Sequence, residues 1–101
     1  MERLEFTYPA RRSIAHRAHV GVVGSGDLEV LLEPTQEDSA QVIIRTSVGG
    51  FATTWKAVLD RFFSNYDGKV RIDINDSGAT PGSVTLRLWQ AVELSEKDET
   101  P

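Results

Sequence analysis

Four consecutive residues, Gly24-Ser25-Gly26-Asp27, present the side chain best suited to covalent chemistry. Glycine on both sides of Ser25 permits positive φ and a tight reversal, which leaves the hydroxyl open to approach. Three chemistries could use it. A hydrolase nucleophile needs a base in hydrogen-bond reach, a group to orient that base, and an oxyanion hole. His16 and His19 are close in sequence, but the run is not the Gly-x-Ser-x-Gly elbow, and a strand pattern rather than a helix follows it. A phosphate cradle would need the P-loop lysine and a helix start, and both are missing. An attachment point needs only exposure, because a modifying enzyme brings its own base and substrate. On pattern alone a plain structural turn is the simpler reading, since Ser and Gly are turn residues. Asp27 would support the turn by bonding local amides, or would contact a modifying enzyme.

Other polar residues carry less. His16 and His19 are three apart in an expected strand, point to opposite faces, and cannot share a metal locally. No catalytic residue and no metal ligand is assigned. Arg11, Arg12 and Arg17, with the acidic Asp27, Glu29 and Glu33, read by themselves as solvated surface charges. The segment Asn75 to Gly82 reads as a structural turn. Partner contact, or anion binding at the start of a following helix, are its other possible uses.

The elements that must position Ser25 are legible from periodicity. His16–Val23 alternates as a strand, then Leu28, Val30 and Leu32 mark a second, and Val42, Ile44 and Thr46 a third. Phe51, Trp55, Val58, Leu59, Phe62 and Tyr66 then fall on one helical face, with Asp67-Gly68 as its stop and Gly68 free to take a left-handed cap. These aromatic residues read as core. Val70, Ile72 and Ile74 mark a fourth strand. Residues 83–94 fit either period. Thr80 as cap and Pro81 at the first helical position favour a helix. Residues 1–14 read as an irregular or extended arm, with Leu4, Phe6 and Tyr8 alternating against an edge. Residues 95–101 read as a frayed acidic tail.

The expected fold is therefore α+β, in the order β-β-β-α-β-α. It is a two-layer sandwich with a mostly antiparallel four-stranded sheet and two helices on one face, and Ser25 lies on the hairpin between the first two strands. The strand-helix-strand unit in the middle predicts one parallel pair.

Composition narrows the function. The chain has 101 residues, the size of one domain, with 40% hydrophobic and 26% charged residues. It has no cysteine, which excludes a disulfide scaffold, a thiolate metal site and a cysteine nucleophile. A net charge of −4 argues against nucleic acid as a partner. No apolar run reaches the ~20 residues that cross a bilayer. The start Met1-Glu2-Arg3-Leu4-Glu5 is not a secretory signal, so a cytoplasmic location is expected.

Beyond these general features, Val22-Val23-Gly24-Ser25-Gly26-Asp27-Leu28-Glu29-Val30-Leu31 resembles the acyl-carrier (delta) subunits of malonate decarboxylases. So do Val42-Ile43-Ile44-Arg45-Thr46-Ser47-Val48, Gly50-Phe51, Arg61-Phe62-Phe63, and Ile74-Asn75-Asp76-Ser77-Gly78-Ala79-Thr80-Pro81-Gly82. The likeness runs from about Leu4 to Val92. The acyl-carrier subunits of citrate lyases share the Ser-Gly-Asp more distantly, and the Thr-Pro-Gly after Ala79 favours the malonate family.

The resemblance implies that Ser25 carries 2'-(5''-phosphoribosyl)-3'-dephospho-CoA through a phosphodiester, with Gly24, Gly26 and Asp27 supporting the turn. It implies a non-catalytic carrier whose arm passes acetyl and malonyl thioesters between acyl transferase and decarboxylase subunits as malonate becomes acetate and carbon dioxide. A prosthetic-group transferase and a malonyl transferase would be further partners, and a chain that must dock on all of these makes Arg11, Arg12, Arg17, Asp27, Glu29 and Glu33 candidate docking groups. The helical acyl carriers place the modified serine after an aspartate at a helix start, so their phosphopantetheinyl transferases should not act here. Two alternatives stay open at this level: a carrier in a citrate-lyase-like complex, and an unmodified α+β interaction module.

Overall fold

The computed structural model describes residues 1–97. Strands β1 (Glu2–Pro9), β2 (Ala18–Gly21), β3 (Leu28–Pro34) and β4 (Ser39–Thr46) are followed by helix α1 (Ala52–Phe63), strand β5 (Val70–Asp76) and helix α2 (Pro81–Glu96). The five strands form one sheet in the order β1-β4-β5-β3-β2. All neighbours are antiparallel except β4 and β5, the pair that α1 connects. The parallel crossover and the antiparallel majority agree with the periodicity.

The strand count does not. The arm expected over residues 1–14 contributes a fifth strand. Leu4, Phe6 and Tyr8 are half-buried while Arg3, Glu5 and Thr7 are exposed. That alternation lays β1 along β4 with Leu4 opposite Ile44, Phe6 opposite Val42 and Tyr8 opposite Ala40. Pro9 ends the strand at the sheet edge, where its missing N–H costs no ladder bond. The Tyr8 hydroxyl donates to Asp60 Oδ1 at 2.7 Å, tying this edge to α1. Residues 11–17 remain irregular apart from a bridge between Arg12 and Gly68.

Strand alternation sends Leu28, Val30, Leu32, Val42, Ile44, Ile72 and Ile74 to one face, all fully buried. Trp55, Leu59 and Phe62 of α1 and Val84, Leu88, Ala91 and Val92 of α2 complete a single core cluster with them. Residues 83–94 are thus helical, held at the start by Thr80, whose Oγ1 accepts the Ser83 N–H at 3.1 Å, with Pro81 at the first position.

Two helix ends differ from expectation. α1 stops at Phe63, and Gly68 is not left-handed. Glycine is required there for a different reason: a Cβ would run into the Tyr66 ring and reach 2.8 Å from Ile14 Cδ1. At the other end, α2 runs into the expected frayed tail. Ser95 is buried and donates to the Val92 carbonyl at 2.7 Å, and Glu96 pairs with Arg12 at 2.6 Å. The rest of that tail, residues 98–101, lies outside the described residues.

Candidate functional site

In sheet register, Leu28 stands opposite Asp76, and Asp76 stands opposite Thr46. The start of β3 and the ends of β4 and β5 therefore meet at one end of the sheet. Loops 22–27, 47–51 and 77–80 gather there, and Ser25 belongs to the first.

Ser25 is not at the apex of a minimal hairpin, as the sequence suggested. β2 ends at Gly21 rather than Val23, and the connection is longer. Gly21 has φ +81°, and its Cβ position is filled by the Leu28 carbonyl, so the chain leaves the ladder there. Val22 and Val23 consequently stand in solvent, at 62% and 61% exposure.

Within the loop, the Asp27 N–H donates to the Gly24 carbonyl at 2.9 Å, and Gly26 has φ +77°. This is a type II pattern, with Ser25 at the first corner and glycine where positive φ is needed. Ser25 and Gly26 are exposed, and a Cβ on Gly26 would meet nothing within 4 Å. The turn is nonetheless anchored. Gly26 N–H donates to the Ser77 carbonyl at 2.8 Å, and Ser77 N–H donates to the Asp27 carbonyl at 2.9 Å.

Asp27 is the electrostatic hinge of the loop. Its Oδ1 accepts the Leu28 N–H at 2.7 Å, which is the amide-bonding role expected of it. The Arg87 guanidinium, from α2, grips both oxygens, with Nη2 at 2.9 Å from Oδ2 and Nε at 3.4 Å from Oδ1. Arg87 first, and the Leu28 amide second, hold the Asp27 carboxyl below the usual aspartate range. Sequence reading missed Arg87, which lies 60 positions away. The only signal was an arginine set between the core positions Val84 and Leu88 of one helix.

Of the segment Asn75 to Gly82, read as a turn, only residues 77–80 connect elements: Asn75 and Asp76 close β5, and Pro81 and Gly82 open α2. Asp76 is 7% exposed and accepts from Thr46 Oγ1 at 2.8 Å, Gly78 N–H at 3.2 Å and Ala79 N–H at 3.0 Å. On the open sheet face, Glu29 accepts from Asn75 Nδ2 at 2.9 Å and lies 2.8 Å from His19 Nε2. The Asn75 bond, then His19, lowers the Glu29 carboxyl.

The remaining candidates do not converge on Ser25. His19 is held at Glu29, and the backbone N–H of His16 donates to the Ser95 carbonyl. Arg12 is bound to Asp67 and Glu96. By register Ala18 pairs with Leu32 and Glu33 with Arg71, so the chain around Arg17, and Glu33 itself, lie toward the opposite end of the sheet. Among the described residues, no side-chain base is hydrogen-bonded to the exposed Ser25 hydroxyl, the contact that a nucleophile would need.

Beside the turn is a cavity of about 330 Å³, lined by Val48, Phe51, Trp55, Val58, Ala79 and Val84, with Thr54 and Asp76 as polar neighbours. It lies between the first turns of the two helices and the loop that anchors Ser25.

Three comparisons bear on what this arrangement serves. A family model described as the malonate decarboxylase delta subunit (MdcD) matches residues 15–95. The malonate decarboxylase acyl carrier protein of Azotobacter vinelandii is 48% identical over 94 residues, spanning 92% of this chain and 95% of that protein. Its counterpart in Pseudomonas syringae pv. tomato is 50% identical over 97 residues with the same coverage. A chain in the crystal structure of a Pseudomonas malonate decarboxylase hetero-tetramer in complex with malonate superposes with a TM-score of 0.89 at 48% identity, covering 93% of this chain and 98% of that one.

Proposed function

The chain belongs to the malonate decarboxylase delta-subunit (acyl carrier) family, and from that premise we propose that Ser25 is the covalent attachment site of its acyl arm. The observation that carries the reading is the anchored, solvent-exposed turn with its paired aspartate. A phosphodiester on Ser25 Oγ would place a negative charge beside Asp27. Arg87 already balances that carboxylate, so the two anions need not repel. The open surroundings of Gly26 leave room for a bulky substituent. The turn thus fits 2'-(5''-phosphoribosyl)-3'-dephospho-CoA as the attached group.

That group supplies a thiol on a long arm, able to carry acetyl and malonyl as thioesters between transferase and decarboxylase subunits. The chain encodes no thiol of its own. Its residues hold the attachment point still and exposed. Gly24, Gly26 and Asp27 shape the turn, and Ser77 and Arg87 brace it from two other elements. Tethering keeps the reacting group at high local concentration, while the acid, base and oxyanion stabilisation come from the partner subunits. The partners are the acyl transferase and decarboxylase subunits, a malonyl transferase, and the prosthetic-group transferase.

The test is intact mass. Incubation with the prosthetic-group transferase and its cofactor precursor should add one arm to the chain and none to Ser25→Ala. A phosphopantetheinyl transferase should add nothing to either. The substitution removes an exposed hydroxyl, so the unfolding free energy should shift by no more than about 0.5 kcal/mol. A fully active complex with bare Ser25, or a mass gain that survives Ser25→Ala, would refute the assignment.

A further inference from the structure

The cavity beside the serine turn has a composition that distinguishes between possible occupants. Among the described residues it is walled by valine, alanine and aromatic side chains, no cationic side chain lines it, and its one ionisable group is Asp76. Asp76 is buried and committed to Thr46, Gly78 and Ala79. A neutral acyl group of modest size would leave water for apolar surface there. A carboxylate would lose its hydration, find no counter-charge, and sit near another carboxylate.

The cavity is also continuous with the turn. Gly26, next to Ser25, is hydrogen-bonded to Ser77, and the two chain neighbours of Ser77, Asp76 and Gly78, both line the cavity. Ser25 is therefore separated from the cavity wall by one residue on each side of a 2.8 Å hydrogen bond. An arm of pantetheine length spans that gap.

We propose that this cavity shelters the acetylated end of the arm between turnovers and refuses the malonylated end, so the carrier itself sorts the two thioesters by charge. The idea rests on Ser25 being the attachment site. Acetyl, once lodged against these walls, is partly shielded from water and stray nucleophiles. Malonyl stays outside, available to the decarboxylase subunits.

The full-length chain, loaded by the prosthetic-group transferase and then acylated with ¹³C-acetyl or ¹³C-malonyl, provides the test. In the acetyl form the methyl group should show nuclear Overhauser contacts to Val58 and Val84. Its cleavage by hydroxylamine should be several-fold slower than that of acetyl-CoA. The malonyl form should show no such contacts and should be cleaved at the rate of malonyl-CoA. Ala79→Leu, which fills the cavity, should abolish acetyl protection. Thr54→Lys, an exposed change that brings a cation to the wall, should admit malonyl. Absent acetyl contacts, or equal protection of both thioesters in the unsubstituted chain, would overturn the proposal while leaving the attachment site intact. A chain whose mass shows no arm on Ser25 would overturn both.

Discussion

Gly21 and Gly26 flank the serine loop with nearly the same backbone, φ +81° and +77°, but different surroundings. Replacing each with alanine separates conformational strain from steric conflict. An L-residue in the left-handed region costs about 1–2 kcal/mol at either site. At Gly26 that is the whole cost, because the new methyl enters open space. At Gly21 the methyl would occupy the place of the Leu28 carbonyl and stand 3.4 Å from Arg87 Nε. Backbone must then shift, adding about 1–3 kcal/mol. With a urea slope of roughly 1–3 kcal/mol/M, Gly21→Ala should unfold at a midpoint roughly 1 M below Gly26→Ala, with m unchanged. Because Leu28 adjoins Asp27, Gly21→Ala should also slow attachment of the arm, read by intact mass over time, more than Gly26→Ala does. Coincident midpoints would refute the close approach of Gly21 to Leu28, and with it the account of why the strand ends there.

Three further outcomes are expected. Asp27, Glu29 and Asp60 have lowered carboxyl pKa values, so their stabilisation is complete above the unfolded value of about 4 and is lost as pH falls through the lower folded values; the acid limb of urea midpoint against pH should be shallower in Asp27→Asn, and an unchanged limb would contradict the Arg87 pairing. Asp76→Ala strips the acceptor from Thr46, Gly78 and Ala79, at a cost of roughly 1–3 kcal/mol or more, and should speed amide exchange at Gly26 and Ser77; exchange as slow as in the unsubstituted chain would show that the loop does not depend on it. Leu88→Ala empties a fully buried site under the sheet and should cost roughly 2–5 kcal/mol in calorimetry or urea unfolding; a cost below about 1 kcal/mol would place Leu88 outside the core.

The candidate site was legible to the extent that it is local. Glycines around a serine announce an open turn, and an aspartate after them announces amide bonding, because both effects act within a few residues of chain. The strand periods between Leu28 and Ile74 were equally plain, since each has one buried face. The first strand was harder to read. Its alternation was visible in Leu4, Phe6 and Tyr8, but an edge strand beside Pro9 and two arginines differs from an arm only if something pairs with it. That partner, β4, lies thirty or more residues away.

By itself the sequence determined the materials available: a serine between two glycines, no thiol, a strand-helix-strand run that implies a parallel crossover, and an α2 start set by Thr80 and Pro81. Each follows from residue type or short-range spacing. Tertiary structure alone decided what braces the serine and what lies beside it. Arg87 reaches Asp27, Ser77 anchors Gly26, and two helix starts and two loops flank an open apolar cleft, because the strand ends that carry those loops share one end of the sheet. Such contacts depend on register between distant segments, and no local pattern in the chain encodes them.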